Sequence, residues 1–126
     1  MIAVDTSSLV AFFSGASGAD VEAVDAALAT RQAILPPVVL TELLSDPKLD
    51  RSFCALIESL PLLELSEGYW KRAGELRQAL LAKARKARIA DCLIAQSCID
   101  HEVALITRDD DFRSIAKVAG LRLERL

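Results

Sequence analysis

Four carboxylates stand where an ordinary water-soluble domain has little use for them. Asp5 ends the short apolar run Ile2-Ala-Val4, and Glu42 interrupts Val38-Val-Leu-Thr-Glu-Leu-Leu44. Asp91 lies within 88–101, a stretch otherwise apolar almost all round, and Asp109 follows Val103-Ala-Leu-Ile-Thr107. A buried, unpaired carboxylate is costly, so each needs a cation, a cage of donors or a shifted pKa. Ligands of open parallel sheets bind outside the carboxyl ends of the strands, where Asp5 and Asp109 both fall. Acids converging there repel one another unless a divalent cation sits between them. An all-oxygen donor set without a His or Cys cluster selects Mg²⁺ or Mn²⁺ over zinc. Taken singly, each acid also has an ordinary use. Asp5 can cap a helix, Glu42 can lie on a solvated face, and Asp109-Asp110-Asp111 can form a turn and cap. Asp91 resists such a use, because its helix has no clearly polar face.

The elements that must position these acids follow from hydrophobic periodicity. Residues 2–4 predict a strand, and Thr6-Ser7-Ser8 offers N-cap hydroxyls for a helix through Phe13. Val21, Val24, Ala27 and Leu28 predict a helix over 20–31, and 33–35 a second strand closed by Pro36-Pro37. Helices follow over 38–44 and 50–59, with Phe53, Leu56, Ile57 and Leu60 on one face of the latter. A strand is expected over 62–65, then a long helix from Ser66 to about Lys83 with Trp70, Ala73, Leu76 and Leu80 as its stripe. Residues 88–101 predict a deeply buried helix, 102–107 a strand, 111–119 a helix and 121–126 an edge strand. Strands alternating with helices imply an α/β fold with a mostly parallel sheet covered on both faces.

Composition bounds the alternatives. At 126 residues the chain is expected to be one domain, 1–126, long enough to bury a core without staples. It is 52% hydrophobic and 26% charged, which excludes disorder. Cys54, Cys92 and Cys98 form no CxxC and read as small core residues. The start lacks a charged leader region, and no apolar run approaches the ~18 residues of a membrane span. A cytoplasmic location is therefore expected. The formal charge of −3 would by itself disfavour a nucleic-acid partner. A divalent cation held by the four acids changes that balance, leaving −1 with one ion and +1 with two.

The four acidic segments, in order, are similar to those of a PIN domain of the VapC toxin type. Val4-Asp-Thr-Ser-Ser-Leu-Val-Ala11 resembles the family's opening motif, whose aspartate is a metal ligand, and Leu40-Thr-Glu-Leu43 resembles the second, on Glu42. Arg88-Ile-Ala-Asp-Cys-Leu-Ile-Ala95 resembles the third, on Asp91. Leu105-Ile-Thr-Arg-Asp-Asp-Asp-Phe112 resembles the fourth, where Asp109 matches best and Asp111 is an additional contributor. The triple aspartate leaves the register of that last acid open. The resemblance covers essentially the whole chain. It implies a three-layer α/β/α fold with a mostly parallel central sheet, and a Mg²⁺- or Mn²⁺-dependent endoribonuclease. It further implies a toxin paired with a VapB-like antitoxin, and a homodimer. The stretch before Asp91 departs from relatives in lacking glycine, so a tight join is expected there.

The implied reaction is phosphodiester hydrolysis, in which a carboxylate-held cation orients the phosphate and activates water. Asp5 and Asp91 are the expected direct ligands, with Glu42 and Asp109 completing the shell or holding a second ion. Thr6 and Ser7 either support a carboxylate or phosphate or cap the helix. For RNA, the basic run Lys83, Arg85, Lys86 and Arg88 precedes Asp91, with Lys71, Arg72, Arg77 and Arg108 as further cations. Trp70, Tyr69 and Phe112 are the aromatics available to stack bases. His101 reads as structural. The rival reading is a PIN-like module that binds RNA or protein without catalysis. Receiver-like and aspartyl-phosphatase readings fail, because no second acid adjoins Asp5 in the required position.

Overall fold

The computed structural model describes residues 1–126. Three short parallel strands form the sheet: β1 (Ile2–Val4), β2 (Ala33–Ile34) and β3 (Leu105–Ile106), in the order β2-β1-β3. Ile2 pairs with Ala33 and Ala3 with Ile34, while Ala3 also pairs with Leu105 and Val4 with Ile106. Ala3, Val4, Leu105 and Ile106 are fully buried, as expected for a parallel sheet covered on both faces. The helices are α1 (Thr6–Phe13), α2 (Ala19–Ala29), α3 (Pro37–Leu44), α4 (Arg51–Ser59), α5 (Tyr69–Ala82), α6 (Ile89–His101) and α7 (Asp111–Val118).

Strand order explains where a site must form. From β1 the chain moves to one side of the sheet to make β2, then crosses back past β1 to make β3. Right-handed crossovers in opposite directions put α1 and α2 on one face and α3 to α6 on the other, giving three layers. The connections leaving β1 and β3 therefore diverge, and a crevice opens between their carboxyl ends. Asp5 and Asp109 lie at those two ends.

Several boundaries depart from the sequence reading. The strand expected at 62–65 reduces to a single parallel bridge between Leu62 and Leu35, and that at 121–126 to one between Leu123 and Leu105. Each is one rung deep: Leu35 donates to Pro61 O and accepts from Leu63, while Leu105 donates to Arg122 O and accepts from Glu124. Prolines at 36 and 61, which cannot donate, bracket the first of these bridges. The long helix starts at Tyr69 rather than Ser66, after Gly68 at φ 81, a left-handed conformation that glycine adopts freely. Its inward stripe is accordingly Tyr69, Ala73, Leu76 and Leu80, and Trp70 is 66% exposed. Ala84 sits at φ 55 in the glycine-free join before α6. Helix α6 is buried through Cys92 and from Ile94 to Cys98, although Ile89 at its start is exposed. His101 ends α6 with Nε2 2.6 Å from Glu64 O, a structural tie. No helix is long and apolar enough to cross a membrane.

Candidate metal centre

Strand β1 stops at Asp5, whose N–H donates to Ile106 O at 2.9 Å and fastens the two strand ends together. The Asp5 side chain is buried, and its Oδ2 accepts from Ser7 Oγ at 2.7 Å and Thr107 Oγ1 at 2.8 Å. Thr6 Oγ1 donates to Glu42 Oε1 at 2.7 Å, drawing the exposed Glu42 of α3 to the start of α1. Ser8 Oγ donates to the buried Asp20 Oδ2 at 2.9 Å. The three hydroxyls expected to cap α1 therefore do something else. Each serves a different carboxylate, and the residue preceding the helix, Asp5, makes no capping bond either.

The tightest convergence lies on the other side of the crevice. Asp91, in the first turn of α6, Asp109, and Asp111, the first residue of α7, bring carboxylate oxygens within 4.8 Å of one another. Asp109 is fixed by a turn: its N–H donates to Thr107 Oγ1 at 3.0 Å, and its Oδ1 accepts from Asp111 N–H at 2.9 Å. The Asp91 carboxyl is pushed up to about 6 by burial and by the negative charges of Asp109, Asp5 and Asp111, opposed only by Arg88. Burial and like charge favour the neutral form, so this site disfavours its own ionisation until a cation arrives. Oxygens around an octahedral Mg²⁺ lie about 3–4 Å apart, so the trio can close on one ion through small side-chain adjustments. Hard donors whose mutual repulsion is only partly offset by Lys86 and Arg88 fit a divalent cation of that kind.

Both acids of the open register thus reach Asp91, while Asp110 pairs at the surface with Arg113 at 3.4 Å. Asp5 and Glu42, expected beside Asp91, lie outside the trio. Asp5 is near enough to act on Asp91, and Glu42 is held at Thr6, lining a cleft of about 260 Å³ between α1, α3 and α4.

The profile of the PIN domain matches residues 2–118. The chain belongs to the PIN-domain family. It is 31% identical over 130 residues to the VapC ribonuclease Mb1587 of Mycobacterium bovis, covering 97% of this chain and 96% of that one. Ribonuclease VapC11 of Mycobacterium tuberculosis matches with the same identity and coverage. Among solved structures, VapBC2 from Rickettsia felis, bound to a DNA fragment from its promoter, superposes with a TM-score of 0.74 at 24% identity. That match covers 98% of both chains. FitAcB from Neisseria gonorrhoeae superposes with a TM-score of 0.68 at 18% identity, covering 99% of this chain and 97% of the other. These two establish the shared fold.

In this PIN domain the basic residues divide into committed and free. Arg108 is forked onto Asp20: Nε and Nη2 donate to Asp20 Oδ2 and Oδ1 at 2.8 and 2.9 Å, and Nη2 also donates to Ser17 O. Those bonds hold the Asp20 carboxyl down at about 2. Gly18 makes room for the fork, since a Cβ there would lie 2.7 Å from Asp20 Oδ1 and 2.9 Å from Arg108 Nη2. Arg72 is likewise forked onto Asp100, and Arg77 donates to Ala87 O. Arg85 donates to Ser114 Oγ at 3.0 Å, Lys86 Nζ lies 3.1 Å from Asp111 Oδ2, and Lys71, Lys83 and Arg88 are exposed. Of the three aromatics expected to stack bases, Phe112 is fully buried and Tyr69 is buried with its hydroxyl on Leu93 O, which leaves Trp70 exposed. Thr107 and Asp20 were not singled out by the sequence. Thr107 bridges Asp5 and Asp109 from a strand end, and its only signal was a hydroxyl directly before Arg-Asp. Asp20 lies 88 residues from Arg108, and nothing local announces that pair.

Proposed function

We propose that residues 1–126 act as one divalent-cation-dependent endoribonuclease domain, the toxin of a toxin–antitoxin pair, working on RNA in the cytoplasm. The observation that carries the reading is the convergence of Asp91, Asp109 and Asp111 at the crevice beside buried Asp5. Membership of the PIN family and likeness to proteins named VapC ribonucleases support RNA as the substrate. The VapBC2 complex among the fold neighbours supports a VapB-like antitoxin as partner. Homodimer formation rests on the family resemblance.

A bound Mg²⁺ or Mn²⁺ would supply charge neutralisation and Lewis-acid polarisation at the scissile phosphate. Asp91, Asp109 and Asp111 would hold it, with Asp5 near enough to add its charge to theirs. Ser7 and Thr107 keep Asp5 oriented, and Thr107 also fixes the backbone of Asp109. Thr6 holds Glu42 by Oε1, which leaves Oε2 as a proton acceptor for an attacking water. The exposed Lys83 and Arg88 would meet the RNA backbone, supplying affinity without sequence preference.

The test is cleavage of a mixed RNA pool by the purified chain, free of antitoxin, with Mg²⁺ or Mn²⁺. Asp5→Asn and Asp91→Asn variants and a chelator control run beside it. Cleavage by the wild type alone, abolished by chelator, is expected. Equal cleavage by all three proteins would refute the roles given to Asp5 and Asp91, and RNA binding with no cleavage by any would replace this reading with the non-catalytic module.

A further inference from the structure

The trio of acids already has a cation of its own. Lys86 Nζ lies 3.1 Å from Asp111 Oδ2, and the pair is solvent-facing, with side-chain exposures of 55% and 28%. Its neighbour Arg85 donates to Ser114 Oγ at 3.0 Å. Two consecutive basic residues thus fasten the join between α5 and α6 to the first turn of α7, the turn that carries Asp111. The Arg85 bond anchors the backbone while the Lys86 ammonium keeps a flexible four-carbon stem and three donors.

We propose that Lys86 is the built-in counter-ion of the acidic trio. It competes with the divalent cation for Asp111, and once displaced it presents its ammonium to a phosphate of the bound RNA strand. The proposal rests on the divalent-cation ribonuclease reading and adds to it one residue with two successive partners. Before the cation arrives, the lysine offsets part of the repulsion among Asp91, Asp109 and Asp111. A doubly charged ion seated within a few ångströms repels the ammonium and satisfies Asp111 in its place. Because Arg85 holds the loop, the lysine swings without leaving the rim of the site, where the strand must lie for its phosphate to reach the trio.

The experiment measures two affinities that move in opposite directions. Mn²⁺ binding is measured calorimetrically on the full chain for wild type, Lys86→Met, Lys86→Arg and Asp91→Asn. Binding of a fluorescein-labelled short mixed-sequence RNA is measured by anisotropy in Ca²⁺ across a salt series. Removing one exposed charge beside the ion is expected to tighten Mn²⁺ by about 3- to 10-fold in Lys86→Met. The same variant should bind RNA several-fold more weakly, with its log–log salt slope shallower by about one phosphate contact. Lys86→Arg should restore the RNA affinity and the slope. Weaker Mn²⁺ binding by Lys86→Met would make the lysine a mere prop for Asp111, and unchanged affinity would make the pair an idle surface contact; either overturns the proposal. If Asp91→Asn binds Mn²⁺ as tightly as wild type, the metal reading itself falls, a distinct outcome.

Discussion

Replacing Asp91 with Asn should make the cation-free protein more stable while abolishing its function. The carboxyl of Asp91 titrates at about 6 against an ordinary 3.8, because burial and the charges of Asp109, Asp5 and Asp111 penalise its ionised form. At about 1.4 kcal/mol per pH unit, the full penalty would be about 3 kcal/mol. Asp91 is half-buried, so water screens part of this, and about 1–2 kcal/mol is the expected cost. Its sign follows from linkage. A folded-state pKa above the unfolded one means no penalty below pH ~4, growth of the penalty as pH rises toward 6, and full expression above it. In chelator at pH 8 the Asp91→Asn chain should therefore melt about 3–8 °C above wild type, and the gap should close as pH falls to ~4. Comparing the two proteins at each pH cancels the titration of groups they share. Saturating Mn²⁺ at pH 8 should then reverse the order. Wild type gains about 2.7 kcal/mol at a hundredfold excess over Kd, while the variant gains little. A variant that melts below wild type in chelator at pH 8, or a gap that does not change with pH, would refute the reasoning.

Other expectations concern the groups that hold the acids in place. Thr107→Val keeps the shape but removes the hydroxyl shared by Asp5 and Asp109; Mn²⁺ affinity and cleavage rate should each fall about 10-fold, measured by calorimetry and single-turnover cleavage. Asp20→Asn unforks Arg108 at the base of the loop carrying Thr107 and Asp109, and urea melts should show a loss of about 1–2 kcal/mol at pH 7. Since the Asp20 carboxyl is held at about 2, its contribution should be present at neutral pH and fade as pH falls from about 4 toward 2. Ala84→Gly should stabilise the chain by about 0.5–1 kcal/mol in the same melts, because φ 55 strains alanine and suits glycine.

Much of the site was legible because its chemistry conflicts with its surroundings. Asp91 in a helix without a polar face, and Asp5 and Asp109 after apolar strands, were visible as costs that some partner must offset. The grouping was less legible. Asp5 and Asp91 read as the natural ligand pair; Ser7 and Thr107 occupy only Oδ2 of Asp5, and Asp91 converges with both Asp109 and Asp111. A turn in which Asp109 accepts from the Asp111 N–H brings two residues of one triplet to the same point, and spacing alone does not reveal such a turn. Trp70 and Tyr69 show the same limit, since the first inward position of α5 falls one residue earlier than the periodicity suggests and exchanges which aromatic is buried.

By itself the sequence determined the helices, the three parallel strands and the candidate acids, because periodicity and misplaced charge are local properties. Tertiary structure alone decided which hydroxyl serves which carboxylate and which arginines are taken. It also set Lys86 against the trio and left Arg108 locked on Asp20. Those outcomes depend on how α1, α2, α6 and α7 meet at the crevice between β1 and β3. Hydrogen bonds reach only about 3 Å, so their partners are fixed once the fold has set the distances.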